Sequence, residues 1–201
     1  AELPDGLLTW NLLQIIQKQL EQAGHRTVLA AALKNYESSP LLSQLARQER
    51  ARLLFQAGRA SRARRVYRQL LLSRAADGIR LEIDPQLREL FVADDADAWQ
   101  QTVRDCGRRL LGAKRLRAVF ELSVQLRTLG DVDVAGELLN EVVLQLQSRP
   151  MQPALAVLAV DQLRQLKDGR AEDLMLPLLS EPALADDPRL WRFAAQVADD
   201  L

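Results

Sequence analysis

Four glycines and one aspartate set the rhythm of this chain. Gly24, Gly58, Asp94, Gly130 and Gly169 each fall between two apolar-periodic segments, at spacings of 34, 36, 36 and 39 residues. A recurring period of this size is the mark of a helix–turn–helix unit. One such unit cannot bury the apolar face it presents, so each hairpin must stack on a neighbour. That requirement constrains the fold more than any other feature of the sequence.

The segment "LLFQAGRASRARRVYRQLL", residues 53–71, carries the pattern most plainly. Upstream of Gly58, Ala51, Leu54 and Phe55 share one helical face. Downstream, Ala63, Tyr67 and Leu70 recur at i, i+4 and i+7, the face of a second helix. A short turn at Gly58 makes the two helices antiparallel neighbours, and the small Ala63 lets them approach closely. "LSVQLRTLGDVDVAGELLNEVV" repeats the arrangement. Gly130 is its turn, Ala135 follows five residues later, and Leu139 stands where Tyr67 stood. Ser123 and Leu126 take the places of Ala51 and Leu54, and Pro150 ends the unit. Weaker units surround Gly24 ("KQLEQAGHRTVLAAALKNY") and Gly169 ("RQLKDGRAEDLMLPLL"), while "LRELFVADDADAWQQTV" supplies a turn near Asp94 without glycine. Five hairpins follow. "DPRLWRFAAQVADDL" (187–201) adds a helix with Trp191 and Ala195 at the first-helix positions of a further unit, either a cap or the start of another repeat.

The rest of the sequence agrees with helix. Leu, Ala, Arg and Gln dominate, all good helix formers, and hydrophobic residues make up 48% of the chain. The only alternating stretch, "IRLEI" (79–83), is stopped by Asp84-Pro85. The expectation is an all-α chain forming a single domain over residues 1–201. Acids and bases balance at 27 each, so net charge points to no partner. No apolar run reaches the length of a transmembrane span. Cys106 is the one cysteine, which excludes an intrachain disulfide.

Residues with chemical potential have plain structural explanations. Helical geometry puts Arg62, Arg64, Arg65 and Arg68 opposite Val66, Tyr67 and Leu70, as the polar face of an amphipathic helix. A solvated outer face is the simplest reading. Acidic protein or anionic lipid is an alternative, and nucleic acid is the weakest, because no aromatics interleave with the arginines. His25 reads as a surface residue at a helix end. Cys106 reads as a small buried residue, since a reactive thiol needs a base beside it. The acidic pairs Asp94-Asp95, Asp131/Asp133 and Asp186-Asp187 sit where N-caps belong. One His and one Cys are too few for a transition-metal site. The sequence predicts no metal, no cofactor and no catalytic residue.

The small residue, glycine turn, alanine and aromatic formed by Ala51, Gly58, Ala63 and Tyr67, within residues 44–77, resemble the tetratricopeptide repeat. The family's Trp near the start of its first helix and its Pro at the end of the second are absent here. The resemblance implies a right-handed superhelical array, an α-solenoid of antiparallel helix hairpins, whose first helices line a concave groove for a partner protein or peptide. Carried onto this sequence, the groove positions are Gln48, Arg52 and Gln56 in one unit. Phe120, Glu121, Val124 and Arg127 are those of the other. Such a surface suits an extended segment bearing acidic side chains. The two-lysine, two-asparagine arrangement by which some family members clamp a chain-terminal carboxylate is not recognisable. The expected function is a non-catalytic protein–protein interaction scaffold. The alternative is a structural module of a larger bacterial envelope assembly for polysaccharide export, pilus biogenesis or secretion. Either the cytoplasm or the periplasm would suit such a module.

Overall fold

The computed structural model of the protein describes residues 24–34, 43–78, 81–148, 152–180, 182–184 and 187–199. Among the described residues there are ten α-helices, one short 3-10 turn and no strand. In chain order the helices are α1 (Arg26–Leu33), α2 (Ser43–Gln56), α3 (Ala60–Ala76), α4 (Pro85–Asp94) and α5 (Ala96–Gly112). They continue with α6 (Leu116–Thr128), α7 (Val132–Ser148), α8 (Pro153–Gln165), α9 (Arg170–Leu179) and α10 (Pro188–Asp199). The helix expected before Gly24 lies outside the described residues.

Turns fall where the period places them, and their geometry is shared. At the end of α2, Arg59 N–H donates to the Leu54 carbonyl at 2.8 Å, five residues back. Gly58 sits between them with φ +70°. The end of α6 repeats this, with Asp131 N–H on the Leu126 carbonyl at 2.9 Å and Gly130 at φ +89°. Such a left-handed residue closes a helix by satisfying carbonyls that have no partner within it. The α8–α9 turn departs from expectation. Its left-handed residue is Lys167 (φ 56°), not Gly169. Asp168 N–H bonds the Leu163 carbonyl at 2.9 Å, and Gly169 merely precedes α9 with an ordinary φ of −59°. Lys114 (φ 57°) does the same after α5, where Arg115 N–H bonds the Leu110 carbonyl at 2.9 Å.

The glycine-free turn between α4 and α5 is closed by carboxylates. Asp95 is the only residue between the two helices, and its Oδ1 accepts from Ala98 N–H at 2.9 Å. Residues 81–83, the described part of the "IRLEI" stretch, make no strand. Residues 81–84 are non-helical, Leu81 and Ile83 are buried, and Asp84 caps α4 by accepting from Gln86 N–H at 2.9 Å and Leu87 N–H at 3.1 Å. Pro85 at the first helical position completes that start.

The chain divides into two compact units, Ala1–Arg109 and Leu110–Leu201. In the first, α2 packs on α1 and α3, and α4 packs on both α2 and α3. Ala51 and Ala63 are fully buried. Tyr67 stacks on Trp99 with ring centroids 6.4 Å apart, Trp99 meets Phe91 edge-on at 5.5 Å, and Phe91 reaches Phe55 at 6.4 Å. Each helix from α2 to α5 gives one ring to this cluster, a geometry that adds to simple area burial. In the second unit α6 packs on α7, α7 on α8 and α9, α8 on α9, and α9 on α10. Ala135 and Leu139 are buried there, in the positions that Ala63 and Tyr67 hold in the first unit. No helix among the described residues is long and apolar enough to cross a membrane.

Candidate functional site

Of the arginines on α3, Arg62, Arg65 and Arg68 are exposed and Arg64 is half-buried. Two of them hold the next helix pair. Arg64 Nε lies 2.7 Å from an Asp94 carboxylate oxygen, and its Nη1 donates to Asp95. The two contacts clasp the α4–α5 turn. That guanidinium, behind the Ala98 N–H bond, holds the Asp95 carboxyl below its usual range. Arg68 reaches Asp105 of α5 at 2.8 Å. The polar face of α3 is therefore partly an internal fastening, and the acids read as caps also serve as its counter-charges.

The remaining candidates are structural as well. Cys106 is buried, and burial pushes its thiol up to about 12, so the thiolate needed of a nucleophile is scarce. Tyr67 hydroxyl accepts Asp84 N–H at 3.1 Å, and burial raises its phenol well above the ordinary value. Asp187 accepts Arg189 N–H at 2.9 Å and its guanidinium at 2.7 Å, which draws its carboxyl down to about 2. His25 is exposed just before α1, where its side chain caps nothing. No group of three or more metal-ligating side chains converges among the described residues.

On α2, Gln48, Arg52 and Gln56 form a stripe at four-residue spacing. Gln48 Nε2 donates to the Asp84 carboxylate at 2.9 Å, which ties α2 to the cap of α4. Arg52 grips Glu49 of its own helix, with Nε 3.0 Å from one carboxylate oxygen. Gln56 is exposed. On α6, Phe120 is 6% exposed, so its ring belongs to the core of the second unit rather than to a surface. Glu121 pairs with Arg117 at 3.0 Å.

Val124 and Arg127 differ from these. Both line a cavity of about 70 Å³ in the second unit. Ser123 joins them from α6. Val132, Ala135, Gly136 and Leu139 of α7 form a second wall, and Gln162 and Leu166 close it from the α8 side. Most of the lining is apolar. Ser123 Oγ donates to the Phe120 carbonyl at 2.7 Å, so its proton is engaged. Arg127 Nη1 is buried and has no hydrogen-bond acceptor. Val132, at 59% exposure, is at the surface.

The seven positions expected to line a groove thus separate. Gln48, Arg52 and Glu121 have partners within the protein, Phe120 is core, Gln56 is open, and Val124 and Arg127 converge on one cavity. The contributions of Gln162, Leu166 and Gly136 escape a reading by period alone. A glycine inside a helix was the one visible signal, since it commonly marks a close approach or an open space. A Cβ built on Gly136 meets nothing within 4 Å. Comparison with protein-family models, with curated proteins and with solved structures finds no match to this chain.

Proposed function

We propose that the chain is a non-catalytic scaffold of the tetratricopeptide kind. On this reading its antiparallel hairpins form a solenoid whose first helices (α2, α4, α6 and α8 among the described residues) hold a segment of a partner protein. The observation that carries the reading is the equivalence of the hairpins α2–α3 and α6–α7. Both turn on a left-handed glycine closed by the same five-residue-back hydrogen bond, and both bury an alanine five residues after it. The lodging of the cysteine, tyrosine and aspartates in caps, ion pairs and core contacts supports a scaffold over an enzyme. A second reading, a structural module of a larger bacterial envelope assembly, draws on Leu144 and Leu176. These second-helix side chains are 55% and 62% exposed, and a larger assembly would cover such apolar surface.

Site-specific photo-crosslinking in the native host tests both. A photoreactive side chain at Gln56 or Val124 should capture a partner protein. The same group at Leu144 or Leu176 should not. Capture only from Leu144 and Leu176 would discard the groove and leave the assembly module.

A further inference from the structure

We propose that the chain binds a second copy of itself, with the basic outer face of α3 in one copy lying along the acidic outer face of α7 in the other. The contact goes beyond the scaffold reading, because no first helix takes part in it.

Charge is divided between the two compact units. Residues 1–109 carry 17 Lys and Arg against 13 Asp and Glu, and residues 110–201 carry 10 against 14. A chain with no net charge thus joins a basic unit to an acidic one. The division is sharpest on two equivalent helices. Residues 72 apart occupy the same place in the two hairpins, as Gly58 and Gly130 do, and Ala63 and Ala135. α3 contains five arginines and no acid. α7, also 17 residues long, contains three acids and no base.

These charges stand on the same outward stripe. On α3, Arg62, Arg65 and Arg68 are exposed, and half-buried Leu72 follows them. On α7, Asp133, Glu137 and Glu141 are exposed, and Leu144 follows at 55% exposure. Arg65 and Glu137 are equivalent positions, and so are Leu72 and Leu144. Arg68 is engaged by Asp105, so Arg62 and Arg65 carry the contact. Two parallel helices laid face to face at equal height set Arg65 against Glu137 and Arg62 within one residue of Asp133. The same register brings the two leucines together. An antiparallel alignment would instead set Leu144 against the arginines. Complementary charge steers the encounter and fixes the register, and the leucine pair removes apolar surface from water. An unrelated acidic segment would match the charge alone. α7 matches the charge, its spacing and the leucine beyond it.

Such a contact is weak. A helix of this length is about 25 Å long and about 10 Å wide, so one contact covers about 250 Å² on each copy. A standard stable interface covers roughly 800 Å² on each partner. Concentration and salt therefore decide the population of the pair.

Sedimentation velocity on the whole chain tests the contact at protein concentrations up to about 0.5 mM, where a small interface is populated. The sedimentation coefficient should rise with concentration at about 50 mM salt and cease to rise at about 500 mM, where charges are screened within a few ångströms. Arg62→Glu with Arg65→Glu should weaken association at least about tenfold, and so should Asp133→Lys with Glu137→Lys. Reversal of exposed charges costs little stability, and Arg62→Gln with Arg65→Gln should give a smaller loss in the same direction. The decisive arm is the mixture. Neither reversed chain can pair with itself, yet the acidic α3 of one meets the basic α7 of the other, so mixing should restore association. A monomer at every concentration, a reversed chain that associates as the parent does, or a mixture that stays monomeric would overturn the self-contact. So would a monomer in which a photoreactive side chain at position 65 captures a different protein, which would give this face to another acidic partner. A covalent dimer of the chain formed from Leu144 in the crosslinking experiment above is this self-contact and supports the proposal, while the partner of the groove is a separate protein.

Discussion

Two glycines six residues apart should respond to the same substitution with opposite signs. Gly130 holds φ +89° at the α6–α7 turn, and Gly136 lies inside α7. At neither would an added Cβ meet an atom within 4 Å, so no steric clash contributes and backbone conformation alone decides. An alanine in the left-handed region costs roughly 1–2 kcal/mol. Stiffening of the unfolded chain offsets about 0.4–1 kcal/mol of that. Gly130→Ala should therefore destabilise by about 1 kcal/mol. Gly136→Ala gains helix propensity with nothing to oppose it and should stabilise by about 0.5–1 kcal/mol. For a chain of this length the pair should lie on either side of the parent melting temperature, separated by roughly 3–8 °C. Urea unfolding followed by far-UV circular dichroism gives the free energies, with m-values unchanged if only the native state is affected. Lys167→Gly supplies a third arm. It relieves a non-glycine residue at φ 56° and should be neutral to stabilising. Shifts of the same sign at 130 and 136 would refute the assignment of Gly130 as the helix-closing residue. A marked loss with Lys167→Gly would refute it for that turn.

Ala63 is fully buried where α2 meets α3, so Ala63→Leu should overpack that contact by roughly 1–3 kcal/mol, read as an earlier thermal transition. Tyr67→Phe removes the acceptor of Asp84 N–H and should cost about 1 kcal/mol by urea titration; Asp84→Ala, which also uncaps α4, should cost at least as much. The Cys106 thiol, raised to about 12 by burial, should resist a thiol reagent at pH 8 in the native protein and react fully in denaturant. Asp187 is drawn down to about 2 by Arg189, against about 3.9 for an unperturbed aspartate. Its contribution is fully present above the unfolded value and disappears as pH falls through about 2. The α10 amides should therefore keep their NMR signature at pH 3.5 and lose it nearer pH 2 in the parent protein. Asp187→Asn should abolish that pH dependence.

The hairpin rhythm was legible because left-handed backbone and glycine go together. The position of the α8–α9 turn could be read to within two residues, but its mechanics could not. Gly169 drew the eye, while Lys167 adopts the left-handed conformation. A penalty of roughly 1–2 kcal/mol for a non-glycine residue is small enough for closing hydrogen bonds and packed helices to override. Glycine is therefore not a necessary sign of such a turn, as Lys114 shows again after α5, nor a sufficient one, since Gly136 lies inside α7. The aspartate turn at 94–95 was legible for a different reason. Short acidic side chains accept from free N–H groups at helix starts, and Asp95 does so. That the same pair would hold Arg64 of a preceding hairpin depends on how hairpins stack, which no local pattern encodes.

The same distinction separates Arg52 from Arg127 among the positions expected to line a groove. Helical period places both on first helices, and nothing in the period says which is committed. The local sequence does carry part of the answer. Glu49 lies three residues before Arg52, on the adjoining turn of one continuous helix, and the two meet. Around Arg127 the positions three and four residues earlier are Val124 and Ser123, and three later is Gly130. Asp131, four residues later, stands past the left-handed Gly130, so the helical geometry that would bring an i, i+4 pair together ends before reaching it. An arginine one turn from a glycine-closed helix end, with no acid on its N-terminal side, cannot find its counter-ion locally. Nor does its buried Nη1 find an acceptor on α7 or α8. The unpaired nitrogen follows from the interplay of a local rule and a tertiary one.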